Sequence, residues 1–380
     1  MYSVALSLFV FQLTGSATLV GTMMGIVTIP RIILGPIAGA VIDRHSKKIW
    51  ILLPDLVRGI TISAISFLAY KNLLTTTYLL LAAIVDGICT SFFNPTMETV
   101  MPMIVEEKDL VQANSVFDML TTGIEILGQS IGGALYNLLE APLIFLINGL
   151  SYLFSAGTEA FISLPEKKER NHTYTIIEDM KLGMEYVWND KGLIRLFVLS
   201  FFLNYLFGMI RVLIIPWFVN TNGFGEVRYG FFNGACSVGM IAGMFLLSML
   251  KLEAQNKYKV YAISVYMFIV LVGISALINR FWAVVICFVL AFAFQIIFNT
   301  LMITTIILNT DEKMRGKVSA TRITLCMAAS PLGNFIGGCL GDSIAPNLAI
   351  ASCSMTAIII TGFFISDRKV KEYFSKSQII

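Results

Sequence analysis

Eleven apolar segments, each long enough to cross a lipid bilayer, constrain the fold of this 380-residue chain more than any other feature. A membrane-spanning helix needs about 20 predominantly apolar residues, because the hydrocarbon core of a bilayer is roughly 30 Å thick. Short polar breaks separate the segments. We place the spans at 18–40, 50–70, 74–97, 116–139, 142–164, 192–219, 229–250, 258–278, 281–308, 318–340 and 347–366. The sequence therefore predicts an all-α integral membrane protein.

The composition agrees with a chain whose main partner is a lipid bilayer. Hydrophobic residues make up 57% of the sequence and charged residues 13%, with a mean hydropathy of +0.79, whereas soluble domains are about 25% charged. The net charge of +3 is explained by basic loops. Nothing in the sequence indicates a nucleic-acid partner.

Residues 1–13 are apolar but too short to cross a membrane, because a helix of this length covers about 20 Å at ~1.5 Å per residue. A cleaved signal peptide is one interpretation. The stretch lacks a basic start, however, and residues 14–18 resemble a cleavage site only in part. We expect a truncated first spanning helix, which gives 12 helices with the first one short.

The basic residues indicate how the spans are oriented. If the loop at 41–49 is cytoplasmic, 20 lysines and arginines lie in cytoplasmic segments and 3 in outside loops. Cytoplasmic loops of membrane proteins carry this excess of Lys and Arg. We expect a multi-pass protein of the bacterial cytoplasmic (inner) membrane.

Cysteine and histidine positions do not suggest a metal site or a catalytic centre. The two histidines, His45 and His172, lie in predicted loops, and no Gly-x4-Gly-Lys-Ser/Thr phosphate loop is present. The cysteines fall inside apolar spans without paired spacing, as small core residues do. They are Cys89, Cys236, Cys287, Cys326, Cys339 and Cys353. We expect no metal, no cofactor and no enzymatic activity.

The second half of the chain repeats features of the first half. An offset of 205 residues aligns Asn94 with Asn299, and an offset of 204 aligns the Gly-rich run that begins at Gly35 with that at Gly239. Parallel repeats of this kind can rock against each other around a central cavity. We predict a six-helix bundle at 1–165, a cytoplasmic linker at 166–191, a second six-helix bundle at 192–366 and a cytoplasmic tail at 367–380.

Glycines recur along the spans, and two explanations remain open for them. In lipid, helices associate where small residues let their backbones approach. Sliding contacts between two mobile halves need the same small faces. The residues concerned are Gly35, Gly39, Gly128, Gly132, Gly337 and Gly338.

Several motifs carry a resemblance to a known family. The run Gly39-x3-Asp43-Arg44-x-Ser46-Lys47-Lys48 resembles the loop signature of the major facilitator superfamily, with Ser46 where the family usually has Gly. The run 128–133 resembles the antiporter motif, with Gln129 in place of its Pro. The stretches 14–58 and 111–115 are most similar to the macrolide-efflux and siderophore-exporter branch, of the drug:proton antiporter type. The resemblance implies two six-helix bundles in a parallel pseudo-twofold repeat.

The resemblance also implies a cytoplasmic gate. In the proteins it resembles, the aspartate at Asp43 caps the start of the eleventh helix when the cytoplasmic side is closed, and a carboxylate at a helix N-terminus is stabilised by about 0.3 to 1 kcal/mol. We expect Arg44, Lys47 and Lys48 to pair with Glu98, which favours the outward-open state. The alternative is that the basic residues of this motif, which begins at Gly39, only determine the orientation of the chain in the membrane.

Four charged residues lie near the middle of predicted spans: Arg31, Asp86, Glu125 and Arg211. Such residues usually face a cavity and find partners, because a charge costs roughly 2.5 to 3.5 kcal/mol there. We predict that Glu125 first and Asp86 second act as proton-coupling or cation-recognising acids. The alternative is a structural ion pair of Arg31 with either acid. Further candidates for substrate contact are Arg211, Gln295 and Asn299.

Together these features predict a monomeric secondary transporter that exports an amphipathic small molecule, drug or macrolide-like, by alternating access coupled to protons. The alternatives are a siderophore or metabolite exporter and a truncated membrane protein that does not transport.

Overall fold

The computed structural model is built from helices, as the apolar spans predict. It describes residues 2–44, 46–105, 109–162, 164, 176–250 and 253–376. In chain order the described helices are α1 Tyr2–Thr14, α2 Ala17–Arg44, α3 Lys47–Tyr70, α4 Thr76–Ile104, α5 Leu110–Glu159, α6 Ile176–Asn189, α7 Lys191–Asn220, α8 Gly225–Met249, α9 Ala254–Ala276, α10 Phe281–Asn309, α11 Glu312–Ser343, α12 Pro346–Ile365 and α13 Arg368–Lys376.

Ten of the described helices contain segments long and apolar enough to cross a membrane, and they coincide with ten of the predicted spans. The remaining predicted span, 116–139, is the first part of α5. This helix is divided at Glu140, whose φ of 58° and ψ of 164° interrupt the helical backbone. The predicted spans 116–139 and 142–164 meet at this kink. The all-α membrane fold is therefore confirmed.

The chain forms two compact units. The first contains residues 1–15 and 22–177, and the second contains residues 16–21 and 178–380. The short helix α1 packs within the first unit, where the rings of Tyr2 and Phe9 lie 5.5 and 5.7 Å from the ring of Phe145. The hydroxyl of Tyr136 also hydrogen-bonds Gln12 of α1.

Glycines set the helix crossings inside the first unit. On α3, Gly59 faces Leu153 of α5, and Gly149 of α5 faces the Ser63 side chain and the Gly59 carbonyl. A Cβ at either glycine would clash with these atoms. The two backbones approach closely because neither residue has a side chain, as expected for helices that associate in lipid.

The second unit uses the same device on two helix pairs. Gly333 and Gly337 of α11 pack against the backbone of Tyr205 and Met209 of α7. Gly239 and Gly243 of α8 pack against the backbone of α10. The packing explanation therefore holds for Gly337 and for the second Gly-rich run. At Gly35, in contrast, a Cβ would meet nothing within 4 Å.

The last helix, α13, is anchored to the second unit by its apolar face. Val370, Tyr373 and Phe374 are buried, and the main-chain carbonyl of Tyr373 accepts a 2.6 Å hydrogen bond from Asn309. Burial raises the pKa of the Tyr373 hydroxyl above its ordinary value, which keeps it protonated. Asp367, just before α13, pairs with Arg195 of α7 at 2.9 Å.

Replacing Gly333 with alanine should lower the thermal unfolding midpoint of the purified protein, because the new Cβ would overlap the Tyr205 carbonyl. The matched control is Gly157→Ala, where a Cβ meets nothing within 4 Å. The control should be neutral or stabilising by up to about 1 kcal/mol, since alanine favours a helix over glycine. Equal midpoints for the two variants would contradict glycine-set packing between α7 and α11.

Candidate functional site: a buried charge cluster

A buried arginine organises the charged residues of the first unit. Arg58 of α3 is 5% exposed, and it lies 3.5 Å from the Asp55 carboxylate and 3.2 Å from the Asp86 carboxylate of α4. Asp55 is itself 3% exposed. Its pairing with Arg58 follows from their separation of three residues on one helix. We call Asp55, Arg58, Asp86 and the residues that bind them the Arg58 cluster.

Neighbouring side chains contact the rest of the guanidinium. Its Nη2 donates to the hydroxyl of Thr90, which in turn donates to the Asp86 carbonyl at 2.7 Å. The guanidinium carbon lies 5.6 Å from the ring centroid of Phe93 and 5.4 Å from that of Tyr152. Arginine suits this role because its planar cation presents several donors and stacks on aromatic rings. The cluster thus joins α3, α4 and the second part of α5.

A second carboxyl group adjoins the cluster on α5. The hydroxyl of Ser155 donates a 3.2 Å hydrogen bond to Oε1 of Glu159, and it also lies close to the Asp55 carboxyl. Oε2 of Glu159 is buried and has no hydrogen-bond partner in the described part of the chain. The Ser155 hydroxyl therefore lies between the Glu159 and Asp55 carboxyl groups.

The structure pairs Asp86 with Arg58 and not with Arg31. Arg31 of α2 is close enough to interact electrostatically with Asp86. No ion pair of Arg31 occurs in the described part of the chain, and its Nε is buried without a hydrogen-bond partner there. In the structure Asp86 therefore forms its ion pair with Arg58. Arg31 interacts with Asp86 only electrostatically, at longer range.

The predicted residues of the second unit are not gathered into a charged site. Arg211 is exposed, and Gln295 and Asn299 are partly buried. Oε1 of Gln295 is buried and has no hydrogen-bond partner among the described residues.

The predicted gate lies only partly within the described structure. Lys47 and Lys48 at the start of α3 are partly buried, and Glu98 of α4 is exposed. The ion pairs of the described side chains do not join either lysine to Glu98. Four other predicted side-chain positions lie outside the described part of the molecule: Gly39, Asp43, Arg44 and Glu125.

The three-residue spacing of Asp55 and Arg58 on one helix is the sequence signal for their ion pair, but the sequence did not identify Arg58 as the partner of Asp86. Two signals pointed to the cluster. Asp86 and Thr90 share a helix face, as residues four apart do. Tyr152, Ser155 and Glu159 share another face.

Replacing Arg58 with methionine should destabilise the protein strongly, because it leaves the buried Asp55 and the partly buried Asp86 without their cation. Breaking a buried ion pair on one side costs about 3 to 5 kcal/mol. The control is Arg368→Met, since Arg368 pairs with Glu372 at 2.7 Å while its side chain is 90% exposed, and exposed pairs contribute about 0 to 1 kcal/mol. Thermal unfolding in detergent measures both. Equal losses would show that the Arg58 cluster does not stabilise the fold.

Comparison with known proteins agrees with the all-α membrane fold. The chain is 22% identical to macrolide efflux protein A of Streptococcus pyogenes over 90% of its own length and 85% of the relative. It is also 22% identical to the multidrug efflux pump Tap of Mycolicibacterium fortuitum, over 94% of this chain and 89% of that protein. The crystal structure of the nucleoside transporter NupG superposes with a TM-score of 0.75 at 11% identity, covering 96% of this chain and 94% of that one. Residues 1–334 match the model of the Major Facilitator Superfamily, and the chain belongs to this family of transporters.

Proposed function

We propose that this transporter exports an amphipathic organic molecule by alternating access, and that protons entering the cell drive the export. The observation that carries the proposal is the Arg58–Asp86 ion pair, 3.2 Å long, which joins a buried arginine to a partly buried carboxylate within two apolar spans. Charges at this depth are costly, and in membrane proteins they mark ion or substrate pathways.

Proton uptake by Asp86 would weaken its ion pair with Arg58. While Asp86 is ionised, its carboxylate is attracted to Arg58 and, at longer range, to Arg31. A proton on Asp86 removes that negative charge and weakens both attractions. α4 and α3 are then held together less tightly, and the two cations lose part of their compensation. Uptake and release of one proton can in this way shift the balance between two conformations.

We assign Glu125 and Asp86 as the acids that couple proton movement to transport. The assignment of Glu125 rests on its position in the middle of a predicted span. The assignment of Asp86 rests on its ion pair with Arg58. Arg31, Arg211, Gln295 and Asn299 are the polar groups proposed to contact the substrate. Among the described residues, Nε of Arg31 and Oε1 of Gln295 are buried without a hydrogen-bond partner, which supports this proposal because a ligand can supply a partner.

The substrate class rests on the relatives and on the composition. Two relatives are named for the efflux of macrolides and of multiple drugs, macrolide efflux protein A and the multidrug efflux pump Tap. A sequence rich in Phe and Met supplies adaptable apolar contacts for such molecules. We place the protein as a monomer in the bacterial cytoplasmic membrane, with the loop at 41–49 inside. The gate around that loop is proposed to use Gly39, Asp43, Arg44, Lys47, Lys48 and Glu98.

Replacing Asp86 with asparagine, or Glu125 with glutamine, should abolish proton-driven efflux, because an amide cannot take up and release the proton. The measurement is accumulation of a panel of dyes, macrolides and siderophores in cells that express each variant, with and without an uncoupler. The wild type should keep at least one compound out of the cell until the uncoupler is added.

The matched control for this experiment is Glu372→Gln, at an exposed acid of α13. It should export like the wild type. Uncoupler-sensitive efflux at the wild-type rate from both the Asp86 and the Glu125 variants would contradict the proposed coupling. Export of siderophores alone would move the substrate class from drugs to siderophores.

A further inference from the structure

Glu159, the last residue of α5, is a carboxyl group beside the Arg58 cluster that the proposed coupling does not use. Its Oε1 accepts a 3.2 Å hydrogen bond from the Ser155 hydroxyl, and its Oε2 is buried without a hydrogen-bond partner in the described part of the chain. An ionised carboxylate is costly to bury unless its oxygens are paired, whereas the neutral acid costs much less. The unpaired oxygen therefore favours a proton on Glu159.

The charged groups that face Glu159 belong to α3. Asp55 and Arg58 both interact with it electrostatically. Asp55 repels a negative charge on Glu159, whereas Arg58 attracts one. From α4, the Asp86 carboxylate lies 3.2 Å from Arg58 and competes with Glu159 for the same cation. The helix α1, which also packs against α5, contains no acidic or basic side chain.

The balance of charges in the cluster also favours a proton on Glu159. Arg31 interacts electrostatically with both Asp86 and Arg58, so it belongs to the same group of charges. The two arginines compensate the two ionised aspartates, Asp55 and Asp86. An ionised Glu159 adds one negative charge that no described cation of the group compensates. Because uncompensated charges between membrane-spanning helices are costly, Glu159 is the carboxyl group that takes up a proton.

Glu159 lies where α5 reaches the beginning of α3. Gly59 of α3 lies beside Leu153 of α5. Further along α3, the Ser66 hydroxyl donates to the Pro142 carbonyl at 2.6 Å. The two helices are therefore antiparallel, and the end of α5 is on the proposed cytoplasmic side. Glu159 is partly exposed there, at the last residue of its span, so it can exchange protons with water at that boundary.

We propose that Glu159 binds the proton that keeps the Arg58 cluster neutral, and that it releases this proton to the cytoplasmic side when Asp86 takes one up. The first step rests on the cluster alone, and the second rests on the proposed function, in which Asp86 is a coupling acid. A proton on Asp86 removes one negative charge from the cluster, and ionisation of Glu159 restores it. One proton enters as another leaves, so the two carboxyl groups share a single proton.

The test is infrared spectroscopy of the purified protein in detergent at neutral pH, which detects the carbonyl stretch of protonated carboxyl groups. Glu159→Gln should remove one such band from the spectrum of the wild type. In an Asp86→Asn background, which mimics Asp86 with its proton bound, Glu159 is ionised, and the same replacement should remove no band. Asp55→Asn also takes one negative charge away and should abolish the Glu159 band.

The matched control is Glu372→Gln, at an acid whose side chain is 56% exposed. Exposed carboxyl groups are ionised at neutral pH, so this variant should lose no band. If Glu159→Gln keeps every band of the wild type, the whole inference is overturned. If it loses the same band in the wild-type and Asp86→Asn backgrounds, the link to Asp86 is overturned.

Failure of this inference is distinguishable from failure of the proposed function. The infrared bands report protonation and do not require export. Efflux by the wild type that is insensitive to the uncoupler would contradict proton-driven export, whatever the spectrum of Glu159→Gln. Uncoupler-sensitive efflux with no band lost in Glu159→Gln would contradict the role of Glu159 alone.

Discussion

The attraction between Arg58 and the carboxylates of Asp55 and Asp86 beside it is the interaction on which the first unit depends. None of these charges is stable alone between apolar helices, because each has lost most of its hydration. Together with Thr90 and two aromatic rings they are compensated. Because these charges compensate one another, adding one proton to a carboxylate changes the electrostatic energy of the whole cluster. When a proton neutralises Asp86, Arg58 loses part of the negative charge that compensates it.

Close backbone packing provides the rest of the framework. Where Gly59 meets Gly149, and where Gly333 meets Tyr205, the helices approach to distances that no side chain would permit. Such contacts are independent of hydrophobic driving force, which does not act between helices in lipid. They hold α3 against α5 and α11 against α7. In the first unit this fixes Arg58 and Ser155 on facing helices, so the position of the charges follows from the position of the glycines.

The sequence was sufficient for the fold because hydropathy is a local property. The apolar spans predicted the helices, and the break between the spans at 116–139 and 142–164 falls at the kink of Glu140. The Asp55–Arg58 pair also followed from spacing on one helix. The partner of Asp86 did not, because Arg31 and Arg58 both belong to other helices. Which of them reaches Asp86 depends on the rotation and height of three helices against one another, and periodicity within each helix does not contain that information.

The central claim is that proton binding in the Arg58 cluster and substrate binding are linked. Linkage requires that a ligand which favours one protonation state of Asp86 changes the number of bound protons. The most direct measurement is the pH change when ethidium, a permanently charged dye, is added to the purified protein in weakly buffered detergent solution. The account predicts proton release by the wild-type protein and a smaller release by Asp86→Asn at equal dye occupancy. Saturable ethidium binding with no proton release from the wild type, or with equal release from both proteins, would contradict it.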